Sequence, residues 1–580
     1  MSKILLIGIN AKYIHSNPAI YSLKAYVQKN MPGAEVEIAE YTINQNRETI
    51  MADIYRRKPE VAAFSCYIWN WNIVKEVMTQ LPKILPNTDI WLGGPEVSFD
   101  ADKLLESYPM LRGIMVGEGE ETFAELCEYY QNRDKRLEEI KGLVLPGGYT
   151  GERALLSMNE IPFLYDDLER FKNRIIYYES QRGCPFRCAY CLSSIDKSVR
   201  LREIDTVKAH LQFFLDHKVE QVKFIDRTFN CNAKHAYEIW KYLKEHDNGV
   251  TNFHFEIAAD LLTEEQLEVM SDMRPGLIQL EVGVQSTNEA TLHAICRYGS
   301  LEQLRDTVAQ VRSYQNIHQH LDLIAGLPYE DYASFAKSFD EVYAMKPQQL
   351  QLGFLKVLKG SPMEEKAQEY GIVYHDMPPY EVLYTKWLPY EDVLKLKGVE
   401  EMVELYYNSA QFAHILPILE QEFSSAFAMY EALALYYEQH GYFISVPSRM
   451  YRYQVLLEFA IFVNPQKEQL YRQLLTFDLY LRENVKSRPS FAVLDIAELP
   501  DVKERLRTFY QQEEKELHIL KGYEGFSSIQ IAKMTHVEAF TYAVWEEDAM
   551  RKLDKPVYVL FDYKKRDALT YDAGVTCLDI

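Results

Sequence analysis

The chain has 580 residues, too many for one apolar core, so three or four domains are expected. Apolar residues make up 47% and charged residues 26%, an ordinary globular balance that excludes long disorder and low-complexity character. Asp plus Glu outnumber Lys plus Arg by 85 to 63, a net charge of −22; such a surface repels phosphate backbones, so nucleic acid is not an expected partner.

The opening run Met1-Ser-Lys-Ile-Leu-Leu-Ile-Gly lacks a small-residue cleavage site and reads as a buried strand, not a signal peptide. No apolar stretch approaches the roughly 20 residues that span a bilayer, so a cytoplasmic location without a membrane partner is expected. Eight cysteines are too few for a disulfide scaffold.

Residues 1–145 alternate apolar strands with helical patterns. Strands are expected at Ile4–Ile9, Val36–Ala39, Val61–Ser65, Ile90–Leu92 and Gly113–Val116, with helices at Ala19–Lys29, Asn70–Leu81 and Thr122–Tyr130. Continuous apolar strands separated by helices imply a parallel sheet covered on both faces, a flavodoxin-like doubly wound domain. Residues 146–174, with Gly147, Gly148, Gly151 and Pro162, read as a linker with local turns.

The alternation restarts at Ile175. Six strand patterns, from Ile175–Tyr178 to Gln349–Phe354, imply a partial (β/α)6 barrel over 175–365, with chemistry at the C-terminal strand ends. From 366 to 580 the patterns are mainly helical, for example Val393–Tyr407 and Ile415–Glu438, with one late strand-like run at Pro556–Phe561. No catalytic motif is legible there, and the Tyr-rich stretch reads as core.

Three of the eight cysteines fall in Gly183-Cys184-Pro185-Phe186-Arg187-Cys188-Ala189-Tyr190-Cys191, directly after the first barrel strand. Thiolates three and four positions apart on a tight loop converge on one small metal site. Structural zinc takes four ligands, and no fourth Cys or His is near; Cys231 lies in another βα unit. Three thiolates on a cubane leave one iron without a protein ligand. The bland alternatives are a zinc knuckle and a chance cluster.

This C-x3-C-x2-C spacing, with aromatic Tyr190 before the last Cys, resembles the signature of the radical S-adenosylmethionine (SAM) superfamily. The later runs Phe255-Glu-Ile-Ala-Ala-Asp260, Glu281-Val-Gly-Val-Gln-Ser286 and Asp322-Leu-Ile-Ala-Gly-Leu-Pro328 resemble the branch with an N-terminal cobalamin-binding domain. The resemblance implies that Cys184, Cys188 and Cys191 hold a 4Fe–4S cluster and that Tyr190, Glu256, Glu281 and Gln285 border SAM. It further implies that Gly326 lets the backbone approach the adenine. Solvated or salt-bridged barrel ends are the alternative for the carboxylates.

The first domain likewise resembles a cobalamin-binding domain, with Ser65, Gly93, Gly94 and Gly117 at strand ends as cofactor contacts. His15 stands where that family places a cobalt ligand, in Tyr13-Ile-His-Ser-Asn-Pro18, without the Asp and Gly of the usual pattern. A hydrogen bond to the corrin periphery and a plain loop histidine are its alternatives. No G-x-G-x-x-G follows the first strand, which argues against a nicotinamide site.

The implied activity is reductive SAM cleavage followed by functionalisation of an unactivated carbon of a small molecule or peptide, with methyl transfer preferred. The electron donor would be of flavodoxin or ferredoxin type. The alternatives are an oxidative cyclase without methyl transfer and a non-catalytic cobalamin or redox sensor. Only Cys66 and Cys127 lie in the first domain, which argues against an RNA methylthiotransferase with a second cysteine trio.

Overall fold

A computed structural model describes residues 3–132, 136–195, 197–493, 501–546 and 548–580. The first sheet contains β1 (Ile4–Asn10), β2 (Val36–Thr42), β3 (Val61–Ser65), β4 (Asp89–Gly93), β5 (Leu111–Met115), β6 (Leu143–Leu145) and β7 (Gly148–Tyr149). Their order is β2-β1-β3-β4-β5-β6-β7, with the first five parallel and the last two antiparallel. All seven residues of β1 are buried. Leu5, Ile7 and Ile9 face the helices 47–57 and 71–84, while Ile4 and Leu6 face 18–30 and 120–132. That two-sided burial is why the strand reads as an unbroken apolar run. The strand order reverses direction around β1, so the loops after β1 and β3 diverge and open a crevice.

The stretch expected to be a linker is more ordered than its turn residues suggest. Residues 148–149 form β7, and Leu156, Met158 and Ile161 are buried in the first domain's core. Its glycines mark turns within packed structure, not a free connection.

The second sheet begins with β8 (Ile176–Tyr178). A short antiparallel pair follows, β9 (Gln181–Arg182) with β10 (Arg200–Leu201), and it brackets the cysteine loop. The sheet continues with β11 (Gln221–Phe224), β12 (Asn252–Ile257), β13 (Ile278–Gln285), β14 (His318–Ala325) and β15 (Gln349–Phe354). All six long-sheet strands are parallel, ordered β15-β14-β13-β12-β11-β8, an unclosed six-stranded barrel.

The C-terminal region contains a short ribbon, β16 (Val373–Tyr374) with β17 (Val382–Tyr384), then helices including 390–402, 415–420, 426–439, 449–463 and 468–482. The pattern Ile415–Glu438 is two helices rather than one, because Ser425 caps a new start at Ala426. The late strand signal is the centre of β19 (Lys552–Arg566), flanked by β18 (Thr535–Tyr542) and β20 (Ala573–Leu578) in an antiparallel sheet. One apolar core runs unbroken from barrel strands into these helices, from Ile176 to Leu433 and Leu474. Among the described residues, no helix is long and apolar enough to cross a membrane.

Candidate active site

The cysteine loop is fixed by its backbone before its thiols matter. Gly183 has φ +98, and a Cβ there would lie 1.9 Å from the Ser198 carbonyl oxygen, so only glycine fits ahead of Cys184. Ala189 N donates to Ile295 O at 2.9 Å, and Met363 N donates to Ala189 O at 2.9 Å. The loop is thus tied to two sides of the barrel mouth. Cys184, Cys188 and Cys191 all line one cavity of about 210 Å³ at the C-terminal strand ends.

Burial pushes the Cys188 thiol up, and the guanidinium of Arg297, 3.9 Å away, pulls it back toward thiolate. Cys184 faces Thr228 Oγ1 at 3.6 Å. Cys231 contacts the Gln181 side chain instead and does not line the cavity.

Tyr190, Glu256, Glu281 and Gln285 line the same cavity. Glu256 and Glu281 are register partners on adjacent strands. Burial raises the Glu256 pKa, and repulsion from Glu281 adds to it. Glu281 is held otherwise: its Oε2 lies 2.9 Å from His254 Nε2 and 3.1 Å from Lys223 Nζ. These contacts outweigh burial and hold its carboxyl down at about 2. The salt-bridged alternative therefore describes Glu281 better than a direct SAM contact. Gln285 has φ +74 beside a register shift between Gly283 and Gln285. That irregularity aims its amide back over Gly283, where a Cβ would lie 2.2 Å from Nε2.

Gly326 does not line the cavity. Its φ is +86, and a Cβ would meet Val382 Cγ1 at 2.7 Å. The close approach this glycine permits is that of β17, not of a ligand; the reason is a contact 56 positions downstream.

A second, largely apolar cavity of about 670 Å³ lies between the first sheet and the barrel. Ser65, Gly93, Gly94 and Gly117 line it from the strand-end loops, and Tyr177, Tyr178 and Phe163 close the opposite side. Gly117 has φ +83 with nothing within 4 Å of an added Cβ, an open cradle. Gly94 has φ +112, and its Cβ would lie 2.5 Å from Cys66 O, so it serves close backbone packing. His15 sits in the loop after β1, but its Nδ1 is 2.6 Å from the Tyr177 hydroxyl and its ring does not line this cavity. Burial lowers its pKa, and Lys12 and Lys223 add to that.

Sequence reasoning missed the groups that join the two cavities. Arg182, one residue before Gly183, bonds Glu120 at 3.0 Å and Glu179 at 2.8 Å, and lies 3.4 Å from Glu118. Its position beside the cysteine motif was the available signal. The polar barrel interior was also missed, although His318, His320 and Asp322 alternate along β14.

Three family models match consecutive parts of the chain: B12 binding domain over 4–127, radical SAM superfamily over 178–342, and Protein of unknown function (DUF4080) over 368–561. Residues 178–342 are a radical SAM domain. Among proteins with such a domain, the chain is 24% identical over 422 residues to the cobalamin-dependent radical SAM methyltransferase TokK of Streptomyces tokunonensis, covering 66% of this chain and 62% of that one. It is 23% identical to the 2-(S-pantetheinyl)-carbapenam-3-carboxylate methyltransferase of Streptantibioticus cattleyicolor, covering 65% and 61%. The chain thus spans about three fifths of the length of these curated relatives. The solved structure of the radical SAM methyltransferase TsrM from Kitasatospora setae, with cobalamin and a [4Fe-4S] cluster, superposes with a TM-score of 0.55 at 17% identity, covering 66% and 79%. The cobalamin-dependent SAM radical enzyme OxsB, with aqua-cobalamin and SAM bound, gives 0.56 at 15% identity, covering 90% and 76%. At these identities the superpositions establish the shared fold.

Proposed function

We propose that the chain is a cobalamin-dependent radical SAM enzyme that methylates an unactivated carbon of a small molecule or peptide. Cys184, Cys188 and Cys191 would hold a 4Fe–4S cluster, and the loops at Ser65, Gly93, Gly94 and Gly117 would hold cobalamin. The observation that carries this reading is that three pinned cysteines share one cavity with Glu256, Gln285 and Arg297, beside a second, larger cavity against the first sheet.

When bound, the cluster supplies an open iron and an electron for SAM cleavage, and cobalamin supplies a methyl carrier. The chain does the positioning. Glu256, largely buried, faces where a cationic amine would be recognised, and Arg297 offers its guanidinium to a carboxylate. Tyr190 and the re-aimed Gln285 fill out the wall. The apolar wall of Phe163, Tyr177 and Tyr178 excludes water from the cavity toward the first domain. The electron would come from a small flavodoxin- or ferredoxin-type protein in the cytoplasm.

The test is anaerobic turnover with SAM labelled in its methyl group, using extract of the source cell as substrate. Formation of 5′-deoxyadenosine together with a labelled product supports the reading. Deoxyadenosine with an unlabelled, oxidised product would indicate cyclisation, and neither product would indicate a sensor.

A further inference from the structure

The floor of the cysteine cavity is unusually polar for a barrel interior. Side chains at alternate strand positions share a face, so Lys223 on β11, His254 and Glu256 on β12, Glu281 on β13, and His320 and Asp322 on β14 all project inward. One ligand atom from each of Glu281, His320 and Asp322 lies within 4.8 Å of the others. His320 is 6% exposed, and its Nε2 lies 3.1 Å from Asp322 Oδ1. Neither atom makes an aligned hydrogen bond, although both are buried. His254 Nε2 is likewise buried and unaligned, 2.9 Å from Glu281 Oε2.

Separations near 3 Å match the edges of a coordination polyhedron, in which donors about 2.1 Å from one ion stand about 3.0–3.4 Å apart. Buried imidazole and carboxylate atoms left unaligned are costly unless something else satisfies them. Charge points the same way. Glu256, Glu281 and Asp322 repel one another across this floor; Lys223 contacts Glu281, Arg227 acts on Glu256 from farther off, and His320 faces Asp322. A divalent cation would screen the repulsion among the three carboxylates.

We propose that Glu281, His320 and Asp322 form a second metal site, distinct from the cysteines, for a first-row divalent ion of the zinc, iron or manganese class. Imidazole beside carboxylates selects that class over magnesium and calcium, which prefer all-oxygen shells. His254 steers the Glu281 carboxylate, and Lys223 is the competitor that the ion displaces from it. Because Glu281 and Asp322 line the cysteine cavity while His320 is buried behind them, an ion there would face the cavity. Its remaining positions would take an oxygen donor of the substrate, such as a carboxylate or hydroxyl.

The test uses the anaerobically reconstituted full chain, whose cysteines are already occupied by iron, incubated with Zn2+ and desalted before elemental analysis. About one zinc per chain is expected, with cluster absorbance unchanged, and the same zinc in a Cys184→Ser, Cys188→Ser, Cys191→Ser variant. His320→Gln and Asp322→Asn should each weaken zinc affinity at least tenfold while leaving the cluster spectrum intact, and Lys223→Met should strengthen it. A chain that retains no zinc has a closed ion-pair network only, and zinc retained equally by H320Q and D322N is bound elsewhere; either result overturns the site. Loss of zinc with an intact cluster spectrum leaves the radical SAM reading standing.

Discussion

Arg182, one residue before the glycine that leads into the cysteines, and Glu120, at the start of the first domain's helix 120–132, form an ion pair 3.0 Å apart across the domain boundary. Glu120 also accepts from Ser22 Oγ at 2.9 Å. Burial would raise the Glu120 pKa, but Arg182 outweighs it and holds the carboxyl below its usual range. The larger cavity beside the first sheet and the cysteine loop of the barrel are thereby mechanically joined. Glu120→Ala leaves Arg182 with Glu179 and Glu118, so the expected loss is about 2 kcal/mol, the scale of one charged hydrogen bond in a buried setting. Thermal unfolding with cobalamin bound and with the cluster reconstituted should both shift down. A shift of neither would show that the pair does not couple the domains.

Two glycines predict opposite outcomes. Gly183→Ala forces a Cβ onto the Ser198 carbonyl, and so should displace the cysteine loop and sharply reduce iron bound per chain, with far-ultraviolet circular dichroism near that of the parent. Gly117→Ala meets no atom and should cost only the positive-φ strain of about 1–2 kcal/mol, while its methyl enters the larger cavity. Cobalamin retained after desalting should fall for G117A, with iron content unchanged.

His15 is engaged by Tyr177 rather than aimed at a ligand in the larger cavity. The Co(II) electron paramagnetic resonance spectrum of the reduced holoprotein should therefore show no nitrogen splitting that disappears in His15→Gln. Such a splitting would restore His15 as the cobalt ligand.

Glu330 predicts a pH dependence with a definite sign. It is 1% exposed and accepts from Ser286 Oγ at 2.6 Å and Ser338 Oγ at 3.0 Å. Burial raises its carboxyl from 4.5 to about 7. The folded chain therefore holds the proton that the unfolded chain releases, so this stability is full below pH 4.5 and declines as pH climbs through about 7. The window corresponds to about 3 kcal/mol. Glu330→Gln should gain in melting temperature relative to the parent at pH 8 compared with pH 5; an equal difference at both would contradict the assignment.

What was legible in the sequence was what is local. The cysteine spacing and the fully buried β1 each carry their meaning within ten residues. What stayed hidden depends on partners far along the chain. Gly326 is glycine because of Val382, Glu281 is tied by Lys223 and His254, and residues 148–149 extend a sheet whose other strands lie elsewhere. Likewise Pro556–Phe561 is only the apolar centre of a 15-residue strand, whose polar ends pair by register rather than by apolar pattern.

The proposed chemistry requires the three cysteines to leave one iron of a cubane free for SAM. The direct measurement is Mössbauer spectroscopy of the chain reconstituted anaerobically with 57Fe, recorded with and without SAM. One 4Fe–4S cluster per chain, with a single iron site that changes on SAM addition, is the predicted result. A cluster with four equivalent, SAM-insensitive irons, or no cluster in a folded chain, would contradict it.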